Sequence, residues 1–265
     1  MPARKHDSAP TAREAAISDP LVAHAPIERR QLRSASEIDA ALERGASLRF
    51  VLCLEGALDE AGGARIRRCG GQGVPIRRVT QHAMRRLVPF GHDCQWLALE
   101  GPPPGSDLEG VLGAPGVVWL LVGCGYPGNA GAVIRSAEVS GAAGVVVASA
   151  FDRVERRDCL RYAMRVDRFF PVHFEDAQAT VARARAVGRE VIAVEDVGKQ
   201  MPWEVDLTGS PLIVVGGEQA GIPQALLAEA DHVIRVPMHG FLPSYNLQAA
   251  MAVVMGERLR QLSPG

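Results

Sequence analysis

The sequence predicts an α/β protein: an open, mostly parallel sheet with helices on both faces, preceded by a smaller α/β unit. Three observations carry this. Four continuous apolar runs of strand length lie in the second half, Val117–Val122, Val145–Ala148, Val191–Val194 and Leu212–Val215, and His232–Val236 completes five strand candidates. Such runs suit strands covered on both faces, as in a parallel sheet. Helical segments at 129–140, 176–187 and 223–229 separate most of them, and a helix near 246–262 ends the chain. Two of the runs empty directly into glycine-rich turns. In open parallel sheets ligands bind in the loops beyond the carboxyl ends of the strands, so those turns are where chemistry is expected.

Composition sets the outer bounds. A chain of 265 residues, 47% hydrophobic and 22% charged, can bury a sizeable core in one or two domains and is not wholly disordered. No apolar run reaches about 18 residues, which excludes a membrane-spanning helix. The N-terminus is polar and lacks the apolar region of a secretory signal, so a cytoplasmic location is expected. Cys53, Cys69, Cys94, Cys124 and Cys159 form an odd, scattered set without a Cys-x-x-Cys pair. Neither a zinc site nor a disulfide framework is indicated, and no metal is expected. Net charge is −1, yet of 29 basic residues only Lys5 and Lys199 are lysine. Arginine suits bidentate phosphate recognition, and a GC-rich genome produces the same bias.

The smaller unit reads as follows. Residues 1–28 are rich in Ala, Pro and charge without a sustained period, a flexible tail. Residues 36–44 have helical apolar spacing after a Ser cap, and Gly45 ends the helix. Leu48–Leu54 is a strand. Residues 60–71 are helical, with Arg65, Arg67 and Arg68 expected to be exposed. Gly73-Val74-Pro75-Ile76 leads into a second short strand, Thr80 caps a helix to Leu87, and Trp96–Leu99 is another strand. The Pro-rich run from Gly101 marks a linker over 101–116. The expected organisation is therefore a tail (1–28), a small substrate-binding unit (29–100), the linker, and a larger domain (117–265).

Three loops of the larger domain carry the chemistry. Gly123 to Gly128 leads a strand into a helix, with Asn129 expected as its N-cap and Arg135 six residues on. The match to a dinucleotide fingerprint is poor, which counts against an oxidoreductase. Gly216-Gly217-Glu218-Gln219-Ala220-Gly221 is a glycine turn with one carboxylate, free to bind a ligand hydroxyl, orient the loop or cap. Val236-Pro237-Met238 ends a strand, and Ser244 or Asn246 starts an Ala-rich helix. Ser244 has no recognisable His–acid arrangement, so a hydrolase nucleophile is not expected.

Together these loops resemble the SpoU-type RNA ribose 2′-O-methyltransferases of the SPOUT superfamily. The family's Asn-x-Gly-x-x-x-Arg motif is similar to Asn129-Ala130-Gly131-Ala132-Val133-Ile134-Arg135, and its Gly-x-Glu-x-x-Gly turn to Gly216–Gly221. Its Val-Pro-Met and Ser-Leu-Asn-Val segments are similar to Val236-Pro237-Met238 and Ser244-Tyr245-Asn246-Leu247. The resemblance covers about 117–262, and the unit before it looks like the small substrate-binding domain that precedes many such enzymes.

The resemblance implies a C-terminal trefoil knot, S-adenosylmethionine (AdoMet) as cofactor, a homodimer, and rRNA or tRNA as partner. By position, Val215, Gly216, Gly217, Ile234, Val236, Pro237, Met238 and Leu247 would hold the cofactor. Arg135, Asn129, Glu218, Ser244 and Asn246 would form the catalytic set. Free guanidinium stays protonated, so Arg135 is expected to bind a phosphate and orient the 2′-OH. Three departures stand out: Tyr245 for Leu, Gln248 for Ser, and Ala163-Met164-Arg165 for Ser-x-Gly. The last adds charge to a stretch with Arg153, Arg156, Arg157, Arg161, Arg165 and Arg168, at helical spacing, which reads as an RNA-backbone track. The alternative is an RNA-binding protein of the same fold with lost or weakened transferase activity.

Overall fold

The computed structural model describes residues 31–56, 59–88, 93–100, 106–218, 220–242 and 244–263. The expected tail 1–28 lies outside them.

The first half forms a four-stranded sheet: β1 (Gln31–Leu32), β2 (Leu48–Leu54), β3 (Ile76–Val79) and β4 (Trp96–Glu100), in the order β1-β4-β2-β3. β2 and β3 are parallel, and β4 is antiparallel to both β1 and β2. The first helix, α1 (Ala35–Glu43), starts on a capping box between Ser34 and Glu37, and Gly45 follows its end with φ 72°. α2 spans Glu60–Gly71 and α3 spans Gln81–Arg85, the latter capped by Thr80.

Arg65 corrects an expectation. Arg67 and Arg68 are exposed, but Arg65 shares the buried face of α2 with Gly62 and Cys69. Its Nε donates to Asp39 Oδ1 at 2.9 Å, and its guanidinium lies 4.6 Å from the Trp96 ring centroid. A flat cation with an ion pair and an aromatic face can be buried without an unpaired charge.

The expected linker 101–116 also changes. Its described part contains α4 (Leu108–Gly113), capped by Asp107, with Leu108, Val111 and Leu112 buried against the second sheet. Dense Gly and Pro hid a short amphipathic helix.

The second sheet has six strands: β5 (Val118–Val122), β6 (Gly144–Ala148), β7 (Val172–His173), β8 (Val191–Val194), β9 (Leu212–Gly216) and β10 (His232–Ile234). Their order is β10-β8-β9-β5-β6-β7, and every neighbouring pair is parallel. β7 was not foreseen, since two residues give no period. Alternate residues feed opposite cores. Trp119, Leu121, Val145, Val147, Ile213 and Val215 face α5 (Pro127–Val139) and α9 (Leu247–Leu262). Leu120, Val146 and Val214 face α4 and α7 (Ala177–Ala186). The remaining helices are α6 (Arg153–Tyr162) and α8 (Gln224–Leu227). Phe169, after α6, meets Phe50 of the first sheet with ring centroids 5.4 Å apart. No described helix is long and apolar enough to cross a membrane.

At the amino end of this sheet Arg189 is buried and ties three segments together. Its guanidinium donates to Leu112 O (2.6 Å), Gly116 O (2.7 Å) and Ser210 O (2.8 Å), and also to the carbonyls of Val111 and Ala114. Burial lowers its pKa to about 10, so it remains a cation at neutral pH. The end of α4 and the entry to β9 depend on this one side chain. Arg189→Met keeps the apolar stem but strands those carbonyls. Urea unfolding should show a loss of about 3–5 kcal/mol, and a loss below about 1 kcal/mol would contradict the assignment.

Candidate active site

The carboxyl edge of the second sheet is shaped by backbone packing against backbone. Val122 of β5 stands abreast of Gly216 of β9 on one side and Ala148 of β6 on the other. Gly217 N–H donates to Val122 O at 2.7 Å, and a Cβ on Gly217 would fall 2.1 Å from Gly123 O. A Cβ on Gly216 would fall 2.3 Å from the Gly221 carbonyl carbon. Only glycine fits these places. Gly221, with φ 62°, turns the loop back, and Glu195 Oε2 accepts from Ile222 N–H at 2.7 Å. The glycine of the Asn-x-Gly motif has a different duty. A Cβ on Gly131 would lie 2.5 Å from Cys159 O, so Gly131 lets α5 lie directly on α6.

Asn129 is not the N-cap. Tyr126 holds that position and Pro127 is the first helical residue, because proline's fixed φ starts the helix earlier. Asn129 therefore sits in the first turn, and its Nδ2 donates to Glu218 Oε1. This bond joins two of the three motif loops. Asn246 is the N-cap of α9, its Oδ1 accepting from Gln248 N–H at 3.0 Å.

Beside the Asn129–Glu218 pair opens a cavity of about 280 Å³. Val215, Gly216, Gly217, Val236, Met238 and Leu247 line it, with Glu218 and Ser244. Two expected cofactor contacts do not. Ile234 points into the core, and its carbonyl accepts from Glu195 N–H at 2.9 Å. Pro237 lies outside the lining, its carbonyl accepting from the Tyr245 hydroxyl at 3.1 Å. Tyr245 and Gln248 were both expected to border this pocket; Tyr245 lines it with Gly221 of the glycine turn, Gln248 does not, and sequence reasoning missed Val194, Glu195, Asp196 and Ala250 in the wall. The signal for Glu195 and Asp196 was present: both follow β8 at the edge where the other motif loops gather.

Arg135 does not line this cavity. Six residues is about 1.7 turns, which carries it round α5 from Asn129. It faces a second hollow, with Ala132, Ser136, Val139, Tyr162, Gln248 and Leu259, between α5 and α9. Gln248 Nε2 donates to Ser136 Oγ at 3.4 Å across that seam. Of the small residues on α9, Ala250 packs partly inward, whereas Ala249 and Ala252 are exposed. Cys124, under Glu218, has its thiol pushed up to about 12 by burial and by the nearby carboxylate, so it is no nucleophile at neutral pH.

The arginine stretch does not act as one surface. Arg153, Arg157 and Arg161 lie four residues apart on α6 and are exposed. Arg161 pairs with Asp158 at 3.3 Å, and Arg165 with Asp167 at 3.1 Å. Arg156 Nε donates to Phe151 O at 3.0 Å. Among the described residues Arg153 and Arg157 meet no partner. Met164 and Arg165 both have positive φ, 57° and 59°, where the family pattern has Ser-x-Gly. Two non-glycine residues here hold a left-handed conformation that suits glycine.

The model of the SpoU rRNA Methylase family matches residues 116–256. An "Uncharacterized tRNA/rRNA methyltransferase" of Mycolicibacterium paratuberculosis is 28% identical over 207 residues, 74% of this chain and 65% of that protein. This chain thus spans a little under two thirds of that relative's length. A crystal structure of an RNA 2′-O ribose methyltransferase aligns with a TM-score of 0.51 at 25% identity, covering 88% of each chain. The SpoU methyltransferase AviRb from Streptomyces viridochromogenes, in complex with AdoMet, aligns with a TM-score of 0.53 at 22% identity, covering 88% of this chain and 90% of that one. With its fold matched by such structures and more than half its length matched by the family model, the chain belongs to the SpoU rRNA Methylase family.

Proposed function

We propose that this chain is an AdoMet-dependent methyltransferase that methylates a ribose 2′-OH of structured RNA, rRNA or tRNA. The observation that carries the reading is the cavity whose floor is the bare backbone at Gly216–Gly217 and whose mouth holds the Asn129–Glu218 pair. Its residues fit the cofactor: Val215, Val236 and Leu247 offer apolar wall, the glycines offer backbone at close range, and the Glu195 and Asp196 carboxylates complement a cation. When bound, AdoMet supplies a methyl group on a sulfonium.

The chain's own residues do the rest. Glu218 holds the Asn129 amide, leaving the Asn129 carbonyl and the Ser244 hydroxyl to fix the ribose. Arg135, which lies outside this cavity, binds a backbone phosphate and orients the 2′-OH for in-line attack in a site that the partner subunit completes, the hydroxyl proton leaving to solvent. Asn246 acts by starting α9, which places Ser244 and Leu247. The implied knot belongs to the same proposal. Its support is how closely the chain passes itself here: a Cβ on Gly198 would lie 2.6 Å from the Ile234 carbonyl carbon.

A homodimer completes the reading. Val139, Val253 and Leu259 are exposed apolar residues on α5 and α9 around the Arg135 hollow, and a second copy would cover them. The small N-terminal unit would select the RNA, with Arg67, Arg68, Arg77 and Arg78 exposed on it. A cytoplasmic location follows from such a substrate.

Four experiments test this. Calorimetry should show saturable AdoMet binding that Gly217→Ala abolishes. Arg135→Ala should retain that binding yet lose methyl transfer into RNA by about 100-fold or more. Folded protein that binds no AdoMet at millimolar concentration would leave the non-catalytic RNA-binding alternative standing. Changing both Arg153 and Arg157 to Ala should reduce the slope of log RNA affinity against log salt by about 1 to 2, and an unchanged slope would remove them from the RNA surface. Sedimentation should show a dimer that Val253→Arg with Leu259→Arg converts to monomer. A parent protein that is monomeric at micromolar concentration would count against the dimer.

A further inference from the structure

A separate hollow opens at the same edge of the sheet, on the far side of β5 from the proposed cofactor cavity. Gly216, Val122 and Ala148 stand abreast on β9, β5 and β6. At about 4.8 Å per strand, Ala148 is about 10 Å across the edge from Gly216. The loop from β5 to Asn129 runs out between them. The hollow, about 430 Å³, lies between the ends of β6 and β7 and the start of α7.

Its walls have a definite chemistry. The Arg156 guanidinium lies 5.1 Å from the Phe174 ring centroid, and its Nε bond to Phe151 O holds it there as a flat plate. Its terminal amino groups meet no acceptor among the described residues. Ser149 Oγ is shielded from solvent, beside the weakly accepting Cys124 thiol, and has no nitrogen or oxygen partner. At the rim, Asp176 spends one carboxylate oxygen on Ala179 N–H at 2.8 Å, capping α7. The Glu175 carboxylate is exposed and has no partner among the described residues.

Two carboxylates beside one guanidinium repel a phosphate. They accept from N–H groups. A flat cationic plate, an aromatic ring and a free carboxylate at the edge suit a planar heterocycle with amino groups on its rim. Among RNA bases, guanine, adenine and cytosine carry an exocyclic amino group and uracil does not.

We propose that this hollow receives the base of the nucleotide presented for methylation, with Arg156 and Phe174 as its stacking wall and Glu175 accepting from the base's exocyclic amino group. The inference rests on the proposed 2′-O-methyltransferase function. It places base and cofactor on opposite sides of the Asn129–Glu218 pair, with the ribose between them. It also takes Arg156 out of the backbone track and makes it a base contact.

The test compares the parent with Glu175→Gln, an exposed position whose change leaves the core intact. Both proteins are titrated with AdoMet by calorimetry. Both are then incubated with tritiated AdoMet and total rRNA and tRNA from a heterologous bacterium, and the RNA is digested to nucleosides. Glu175→Gln should lower kcat/KM for RNA by about tenfold while the AdoMet Kd stays within about twofold. The labelled product should be the 2′-O-methyl derivative of guanosine, adenosine or cytidine. Unchanged kcat/KM, or labelled 2′-O-methyluridine, overturns the inference and leaves the functional reading intact. A rise in RNA affinity on Glu175→Gln identifies a phosphate site and equally overturns it. A parent that neither binds AdoMet nor transfers methyl overturns the functional reading, and the inference with it.

Discussion

The contact on which the site depends is backbone against backbone: Gly217 packed on Gly123, with Gly217 N–H bonded to Val122 O. A side chain at Gly217 or Gly216 would collide with main-chain atoms that have nowhere to go. Because the two loops touch at this point, Glu218 reaches Asn129 from a different part of the chain. Because the Gly216 turn then folds back at Gly221, space is left behind it for a ligand. The motif glycines are therefore not spacers around the polar residues. They bring the polar residues together.

The parallel register extends that contact along the sheet edge. Gly216, Val122 and Ala148 lie at matched levels in successive strands, and Val194 pairs with Val215 one residue back, so the loops after them open side by side. The two hollows flanking Asn129 differ in chemistry because the residues just past each strand differ. Glycine, Met238 and Leu247 line one, and Arg156, Phe174 and Glu175 line the other. In the proposed reading the first takes the cofactor and the second the base, with the ribose between them.

Arginine does several jobs here, and composition alone does not separate them. Arg189 is a buried hub for several carbonyl groups and buried Arg258 donates to Leu207 O, both with pKa values lowered to about 10 by burial. Arg65 locks α2 to α1 and Trp96. Arg153 and Arg157 face solvent without partners among the described residues. An arginine-rich sequence is thus partly a record of how buried backbone is satisfied.

Local pattern determined what depends on near neighbours in the chain. The five strand candidates are the five longer strands of the second sheet, and the four continuous apolar runs among them are the strands buried on both faces. Ser34, Thr80 and Asn246 start helices as short polar side chains do, by accepting from free N–H groups. The glycine turn Gly216–Glu218 was legible as a loop at a strand end, but Glu218 and Ser244 were legible as site residues only through the family resemblance of the three loops taken together. Tertiary structure decided the rest. The order β10-β8-β9-β5-β6-β7 is not sequential, so no local window shows that Glu195 meets Ile222 or that Asn129 meets Glu218. Arg65 and α4 are buried through partners far along the chain, and β7 exists only because β6 offers an edge. Periodicity encodes which face of an element is buried. What it is buried against is set by long-range packing, and the site is made of those long-range neighbours.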